Sequence, residues 1–266
     1  MTESHTRILA AIQAELWAIT PEALHQVIAI AQGFGEAPEA VAAKLGRPLE
    51  NTQSMTRRGD VAVLPITGPI FRYANLFTQV SGATSIQTLA TDFGAAMGDP
   101  TVKAIVLEVD SPGGMVAGVS EFAAMVRDAT SVKPVIGYVS HMAASACYWI
   151  TAAASEIVVA DTALLGSIGT VTRANIRKDD GSVEIVSSQS PDKRLDPGTD
   201  AGRAKMQATV DSLAQVFVEA VGRYRGVSTD TVLSDFGKGG ILVGADAVKA
   251  GMADRVGSLE GILRRF

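Results

Sequence analysis

Hydrophobic and polar positions in this 266-residue chain follow a repeated pattern of short apolar runs and longer amphipathic stretches. The apolar, β-branched runs at 61–68, 103–109 and 134–140 predict buried strands. Amphipathic stretches with helical spacing of their apolar residues come between them, at 85–97 and 116–129. Strands that alternate with helices favour an α/β fold, with a parallel sheet and right-handed crossovers.

The pattern changes towards both ends of the chain. The first 47 residues predict helices throughout, and the polar, non-periodic stretch that follows them predicts a linker. We therefore divide the chain into a helical N-terminal extension at 1–47, a linker at 48–60, a main domain at 61–258 and a C-terminal tail at 259–266.

Two predicted strand-to-helix junctions carry residues of chemical interest. The first has Gly113 and Gly114 after a proline, and glycines leave backbone N–H groups unobstructed, as half of an oxyanion hole requires. The second has Ser145 between the strand at 134–140 and a small-residue helix, where its hydroxyl would project from the sheet edge. Ser145 is either a nucleophile or a simple helix cap, and the pair of junctions favours the nucleophile.

Three motifs, in this order, resemble those of the serine–lysine signal peptide peptidase family. They are Val-Asp-Ser-Pro-Gly-Gly at 109–114, Ala-Ala-Ser at 143–145 and Leu-Gly-Ser-Ile-Gly-Thr at 165–170. That family shares its fold with the Clp protease subunit and the crotonases. The resemblance covers roughly residues 60–258 and implies a Clp/crotonase-like fold of repeated ββα and βα units around a parallel sheet.

Within that family the chain looks most similar to the phage and prophage branch, the head maturation proteases. The opening Trp-Ala-Ile-Thr-Pro-Glu-Ala-Leu at 17–24 is also similar to that branch. One departure is Ala146-Cys147, where the family usually has glycine. The larger side chains narrow the space beside Ser145, which affects the expected substrate preference but not the nucleophile.

A serine nucleophile needs a base, and histidine is the usual one. The three histidines, His5, His25 and His141, all precede Ser145, which excludes the Clp-type order with histidine after serine. His141 is the one close enough in sequence to remain a rival base. The alternative is a lysine, which acts as a base only when it is neutral and therefore requires burial that lowers its pKa.

Five lysines follow the serine, and Lys193 fits the role of base best. Lys205 and Lys249 lie on predicted helices, Lys238 lies among glycines and Lys178 lies in a charged turn. Lys193 follows a predicted strand and a small polar loop. The resemblance implies the same choice, because family members carry their lysine in such a place. The alternative is that Lys193 is an ordinary solvated lysine.

The remaining site residues are predicted around this dyad. The oxyanion donors would be the backbone N–H of Gly114, or else of Gly113, together with that of Ala146. Ser167 is the residue that we expect to orient the lysine. Cys147 is a rival nucleophile, although its position two residues into the helix predicts that it faces the core.

Composition limits the partners and the compartment. A net charge of −5 argues against nucleic acid, and a single cysteine excludes an intrachain disulfide. No apolar segment reaches the length of a membrane span, and the first residues lack the features of a secretory signal. We therefore expect a cytoplasmic protein that is not secreted, has no stable membrane anchor and uses no metal or cofactor.

These observations predict a serine endopeptidase with a Ser145–Lys193 dyad. The resemblance implies a homo-oligomer, plausibly a ring, that processes scaffold or capsid proteins in an assembling phage head. Three alternatives stay open: a housekeeping peptidase that clears peptides, a non-catalytic ring-forming protein that binds scaffold, and a crotonase-like acyl-CoA enzyme. The last is the least favoured, because Ser145 would then have no obvious task.

Overall fold

The computed structural model describes residues 15–33, 54–74, 82–174 and 185–266, which form two sheets with helices packed against them. The strands are β1 (Leu16–Ile19), β2 (Thr56–Arg58), β3 (Val61–Thr67), β4 (Ile70–Phe71), β5 (Thr84–Ser85), β6 (Ala104–Ser111), β7 (Gly113–Met115), β8 (Val135–Ala144), β9 (Glu156–Val159), β10 (Leu164–Gly166), β11 (Val171–Thr172), β12 (Ile241–Val243) and β13 (Arg255–Val256). The helices are α1 (Pro21–Gly33), α2 (Ile86–Gly98), α3 (Val119–Ala129), α4 (Ala146–Ala152), α5 (Asp200–Arg225), α6 (Thr229–Asp235), α7 (Gly244–Lys249) and α8 (Leu259–Leu263).

The larger sheet has a parallel centre. Its order is β12-β10-β8-β6-β3-β2, and β3, β6, β8 and β10 all run in the same direction. The central strands are buried on both faces, which explains why they are near-continuous apolar runs in the sequence. Helices α2, α3 and α4 contribute to the main core beneath them. The predicted α/β class with a parallel sheet is confirmed.

The smaller sheet lies where β6 and β8 end, and it determines what surrounds the predicted serine. Its order is β11-β1-β7-β4-β5. Strand β7 continues from β6 after Pro112, and β1 lies between β7 and β11, antiparallel to both. This sheet therefore brings the beginning of the described chain next to the glycine motif.

The prediction of helices throughout the N-terminal extension is wrong at Leu16–Ile19, which form β1. Trp17 and Ile19 alternate with Ala18 on opposite faces of this strand, and pairing with β7 and β11 overrides local helix propensity. Helix α1 does begin at Pro21, as predicted. Residues 1–14 and 34–53 lie outside the described residues, so the rest of the extension stays a prediction.

The predicted linker and tail both contain regular structure. Strand β2, within the predicted linker, pairs antiparallel with β3, and Arg57 bonds to Asp99 and Thr101. Helix α8, within the predicted tail, buries Ile262 against Val61 in a small apolar cluster. These two predictions are corrected at 56–58 and 259–263, because an exposed edge strand and a one-turn helix are too short to leave a periodic pattern.

Potential metal ligands and apolar helices bear on two further sequence predictions. Among the described residues, no cluster of three or more His, Cys, Asp and Glu side chains has the arrangement of a metal site. Within the same ranges, no helix combines the length and the apolar character needed to cross a membrane.

Candidate active site

Ser145 occupies a strained turn between a strand and a helix. Strand β8 ends at Ala144 and α4 begins at Ala146, which places the serine at the junction that the sequence predicts. Its backbone has φ 54° and ψ −122°, a conformation that non-glycine residues rarely adopt and that costs about 1–3 kcal/mol. The N–H of Ser145 donates to the carbonyl oxygen of Gly166 at 2.8 Å, which holds the turn.

The side chain of Ser145 does not act as a helix cap. Its hydroxyl makes no capping bond to the first turn of α4, and it makes only a long bond of 3.3 Å to the carbonyl oxygen of Gly169. The side chain is nevertheless 1% exposed. The alternative that Ser145 is a simple cap therefore loses its support, and the hydroxyl is left for another task.

Gly113 is the glycine that lies against the serine. It has φ 97°, and a Cβ built on it would lie 3.0 Å from the Cβ of Ser145 and 2.9 Å from the carbonyl oxygen of Ala144. Its N–H donates to the hydroxyl of Ser111 at 3.2 Å. Only glycine permits this approach, which brings the backbone of β7 directly against Ser145.

Gly114 takes a different position. A Cβ built on Gly114 would lie 2.0 Å from the carbonyl oxygen of Ile70, so this residue packs tightly against β4. It is also the register partner of Ala18 in β1. Gly113 is thus the glycine whose Cα faces Ser145, and the choice of Gly114 as oxyanion donor stays a prediction.

The N-terminus of α4 supplies the second expected donor. Ala146 is the first residue of the helix, and its N–H is among those that an α-helix leaves without an internal partner. All seven residues of α4 are buried. The rigid setting of this helix means that the N–H of Ala146 has a defined direction next to Ser145.

Lys193 makes no hydrogen bond to Ser145 among the described residues. It ends a short 3-10 turn at Pro191–Lys193 and is exposed. Among the residues that the structure describes, no hydrogen bond joins its amine to Ser145 or Ser167. Its neighbour Asp192 is ion-paired with Lys205 at 2.8 Å. The role of Lys193 therefore stays a prediction, and Lys178 lies outside the described residues.

Two rival residues have positions that do not suit catalysis. The ring of His141 is 64% exposed, and its Nδ1 lies 3.1 Å from Oδ1 of Asp110 rather than at the serine. Cys147 is fully buried in the core, and burial raises the pKa of its thiol to about 12. A thiol with that pKa stays protonated at neutral pH and is a poor nucleophile.

A cleft of about 410 Å³ lies beside the junction, between the β1–α1 segment and the chain after β10. Its walls include Ile19, His25, Ser167 and Thr170. Ser167 has φ 52° and donates its N–H to the carbonyl oxygen of Gly240 at 2.7 Å. Sequence reasoning missed the contribution of His25 and β1 to this region, since both lie in a segment that predicts a separate helical extension.

The arrangement is a buried serine hydroxyl at a βα junction of a parallel α/β sheet, with backbone N–H groups of β7 and of the α4 N-terminus nearby. The model of peptidase family S49 matches residues 127–266, more than half of the chain. The protein therefore belongs to peptidase family S49, which confirms the family that the sequence motifs resemble.

Relatives of this chain include proteins of phages and of a cellular organism. Capsid assembly protease C of Escherichia phage lambda is 30% identical over 204 residues, covering 74% of this chain and 46% of that protein. Head-tail preconnector protein GP5 of Enterobacteria phage P21 is 30% identical over 205 residues, covering 74% and 40%. Protease 4 of Salmonella typhi is 30% identical over 213 residues, covering 76% and 33%. The chain thus spans less than half the length of these relatives.

The strain at Ser145 predicts an unusual stability effect. Because glycine adopts positive φ without a steric penalty, Ser145→Gly should raise the free energy of unfolding by about 1 kcal/mol or more relative to Ser145→Ala. Urea denaturation of the two variants, which differ by one methyl group at one position, measures the difference. An alanine variant as stable as the glycine variant would show that the turn carries no strain.

Proposed function

We propose that this chain is a serine endopeptidase in which Ser145 is the nucleophile. The observation that carries the proposal is the strained turn, where a buried hydroxyl that caps nothing lies against the backbone of Gly113. Strain of this kind concentrates at functional sites, because selection for stability alone would remove it. Membership of peptidase family S49 supports the same activity.

The reaction follows from the groups around the turn. The Ser145 oxygen attacks the carbonyl carbon of a substrate peptide bond, and its proton passes to a base. The resulting oxyanion accepts hydrogen bonds from the N–H groups of Gly114 and Ala146, and the leaving amine takes up a proton. Water then hydrolyses the acyl-enzyme and restores the serine.

Gly114 suits the oxyanion role better than Gly113. In the antiparallel pairing of β7 with β1 the N–H of Gly114 faces the groove beside Ser145, whereas the N–H of Gly113 is turned to the hydroxyl of Ser111. Ser111 is itself fixed by a 2.6 Å bond from its hydroxyl to the carbonyl oxygen of Gly68. We therefore assign the donor pair to Gly114 and Ala146, with Gly113 as the alternative.

We propose Lys193 as the base, with Ser167 as the residue that orients it. His141 is engaged with Asp110, and Lys205 is paired with Asp192, whereas the described residues contain no ion pair to Lys193. A lysine acts as a base only in a buried setting, so catalysis requires that the exposed 191–193 turn approach Ser145 and bury the Lys193 amine. The short turn and its polar surroundings are compatible with such a movement.

The proposed substrates are scaffold or capsid proteins of an assembling phage head, processed in the host cytoplasm. Two relatives support this by name, the capsid assembly protease of phage lambda and the head-tail preconnector protein of phage P21. The relationship to Protease 4 of Salmonella typhi supports a second candidate, a peptidase that clears peptides in a cell. Cleavage of scaffold protein encoded next to this gene, without cleavage of unrelated unfolded proteins, would decide for the first.

We also propose a homo-oligomer, on the evidence of α5. Its apolar stripe is buried at Phe217 and Val221 but continues towards the helix N-terminus through Met206, Val210 and Leu213, which are only half-buried. A second copy of the chain would cover this half of the stripe.

The stripe on α5 gives a direct test of assembly. Light scattering should show a mass that is a multiple of the monomer mass, and Met206→Lys with Val210→Lys should lower it, because charges at an apolar contact oppose association. Ala208→Lys, an exposed position on the same helix, is the matched control and should leave the mass unchanged. A monomeric wild-type protein at micromolar concentration would contradict the proposal.

Ser145→Ala should lower peptide hydrolysis at least about a thousandfold, since the hydroxyl that forms the acyl-enzyme is lost. The wild-type protein should bind a fluorophosphonate probe covalently at Ser145, and the alanine variant should not. Cys147→Ala is the control for the rival nucleophile and should keep both activity and labelling. Loss of both in Cys147→Ala, with a fold unchanged by circular dichroism, would transfer the role to the cysteine.

The base is tested by substitutions that keep the charge. Lys193→Arg should be inactive, because a guanidinium stays protonated at any working pH. Lys205→Arg keeps an exposed cation beside Asp192 and should remain active. Wild-type activity should rise with pH along a single ionisation, since only the neutral amine accepts the proton. An inactive His141→Ala together with an active Lys193→Ala would show that the base is the histidine.

A further inference from the structure

Strand β1 fills the space between β7, which lies against Ser145, and β11. It pairs with β7 on one side, where Ile19 is opposite Gly113, and with β11 on the other, where Leu16 is opposite Thr172. Both pairings are antiparallel. The chain itself thus supplies the middle strand of this part of the smaller sheet, which would otherwise be a groove with two free edges.

The peptide backbone of β1 passes directly by the nucleophile. The carbonyl oxygen of Ala18 lies 2.2 Å from the position that a Cβ on Gly113 would take, and the Cβ of Ser145 lies 3.0 Å from that same position. The carbonyl oxygen of Ala18 and the Cβ of Ser145 therefore lie on the same side of Gly113, close to each other. This contact helps to explain why the Ser145 side chain is 1% exposed.

Backbone bonds hold β1 in the way that an extended peptide is held. Val116 donates its N–H to the carbonyl oxygen of Leu16, and Thr20 donates its N–H to that of Pro112, both at 3.0 Å. In an antiparallel ladder these bonds make Ala18 and Gly114 the hydrogen-bonded pair between them. Addition of a strand to exposed sheet edges is a general mode of peptide binding, which depends on main-chain bonds rather than on one sequence.

The side chains of β1 attach it to a cluster that is separate from the main core. Ala18 faces the main core and is fully buried, which leaves room for only a small side chain. Trp17 and Ile19 face the other way, and pack in a satellite cluster with Leu24 of α1 and Phe71. The contact of β1 with the main core is through the small methyl group of Ala18, so β1 can leave the groove with little loss of core packing.

We propose that the space between β7 and β11 is the peptide groove and that Leu16–Ile19 is its resident ligand, which a substrate must displace. The proposal rests on the proposed peptidase function of Ser145 and adds a regulation to it. The site takes an extended peptide with a small residue at the position of Ala18. The resting protein is held in an occupied state by its own chain.

A reversible disulfide tests this proposal. Trp17 and Met115 are opposite each other, between the hydrogen-bonded pairs at 16/116 and 18/114. They therefore form a non-hydrogen-bonded pair, whose Cα atoms are close enough for a disulfide. In the variant Trp17→Cys with Met115→Cys, oxidation should lower peptide turnover and fluorophosphonate labelling at least tenfold, and dithiothreitol should restore both. The native Cys147 is buried and should not interfere.

The matched control is Thr56→Cys with Val63→Cys, which joins β2 to β3 and does not involve the groove. Its oxidation should leave turnover unchanged. Equal turnover of the oxidised and reduced groove variant, with the disulfide verified by mass spectrometry, would overturn the proposal.

A single substitution gives an independent test. Ile19→Ser loosens β1 without a disulfide and should lower KM with little change in kcat. An unchanged or raised KM also counts against the resident ligand.

Hydrogen exchange separates this proposal from the peptidase function. In Ser145→Ala protein, which cannot turn over, saturation with a substrate peptide should speed amide exchange at residues 16–20 at least tenfold. Faster exchange without any wild-type hydrolysis would keep the resident ligand and end the peptidase proposal. Peptide binding with unchanged exchange at these residues, together with wild-type hydrolysis, would overturn the resident ligand and keep the peptidase proposal.

Discussion

The close approach of backbone segments around Ser145 is the constraint on which the site depends. A Cβ on Gly113 would lie 2.2 Å from the carbonyl oxygen of Ala18, and a Cβ on Gly166 would lie 2.2 Å from that of Gly240. Such distances exclude any side chain at either glycine. The positive φ of Ser145 is maintained only because these segments meet there, and its N–H bond to Gly166 ties the serine directly to one of them.

The core behind the serine gives this turn its rigidity. Helix α4 is buried along its whole length; Trp149 stacks on Phe217 of α5 at 4.6 Å, and the Tyr148 hydroxyl donates to the carbonyl oxygen of Met252 at 3.0 Å. Burial of two large aromatic side chains contributes several kcal/mol, which is more than the strain at one residue. The C-terminal part of the chain thereby fixes the direction of the N–H groups that face the nucleophile.

Only some of the groups that the proposed mechanism requires are positioned for catalysis in this structure. The proposed nucleophile Ser145 and the backbone N–H groups proposed as donors lie close together, whereas Lys193 is exposed and β1 lies in the proposed groove. A lysine base needs burial, and a substrate needs a free groove, so both proposals describe a protein at rest. The proposed role in head maturation gives a reason for such control, since an enzyme of that kind that acted before assembly would damage its own substrates.

The sequence alone determined the parallel centre of the fold and the junctions of Ser145 and the glycines, because strands buried on both faces leave apolar runs and turns need particular residues. Only the tertiary structure decided that Leu16–Ile19 is a strand, since four residues have no period of their own and depend on partners far along the chain. It also distinguished the surroundings of Gly113, which lies against Ser145, from those of Gly114, which packs against Ile70. The exposed position of Lys193 has the same origin, because its surroundings come from long-range packing that no local pattern records.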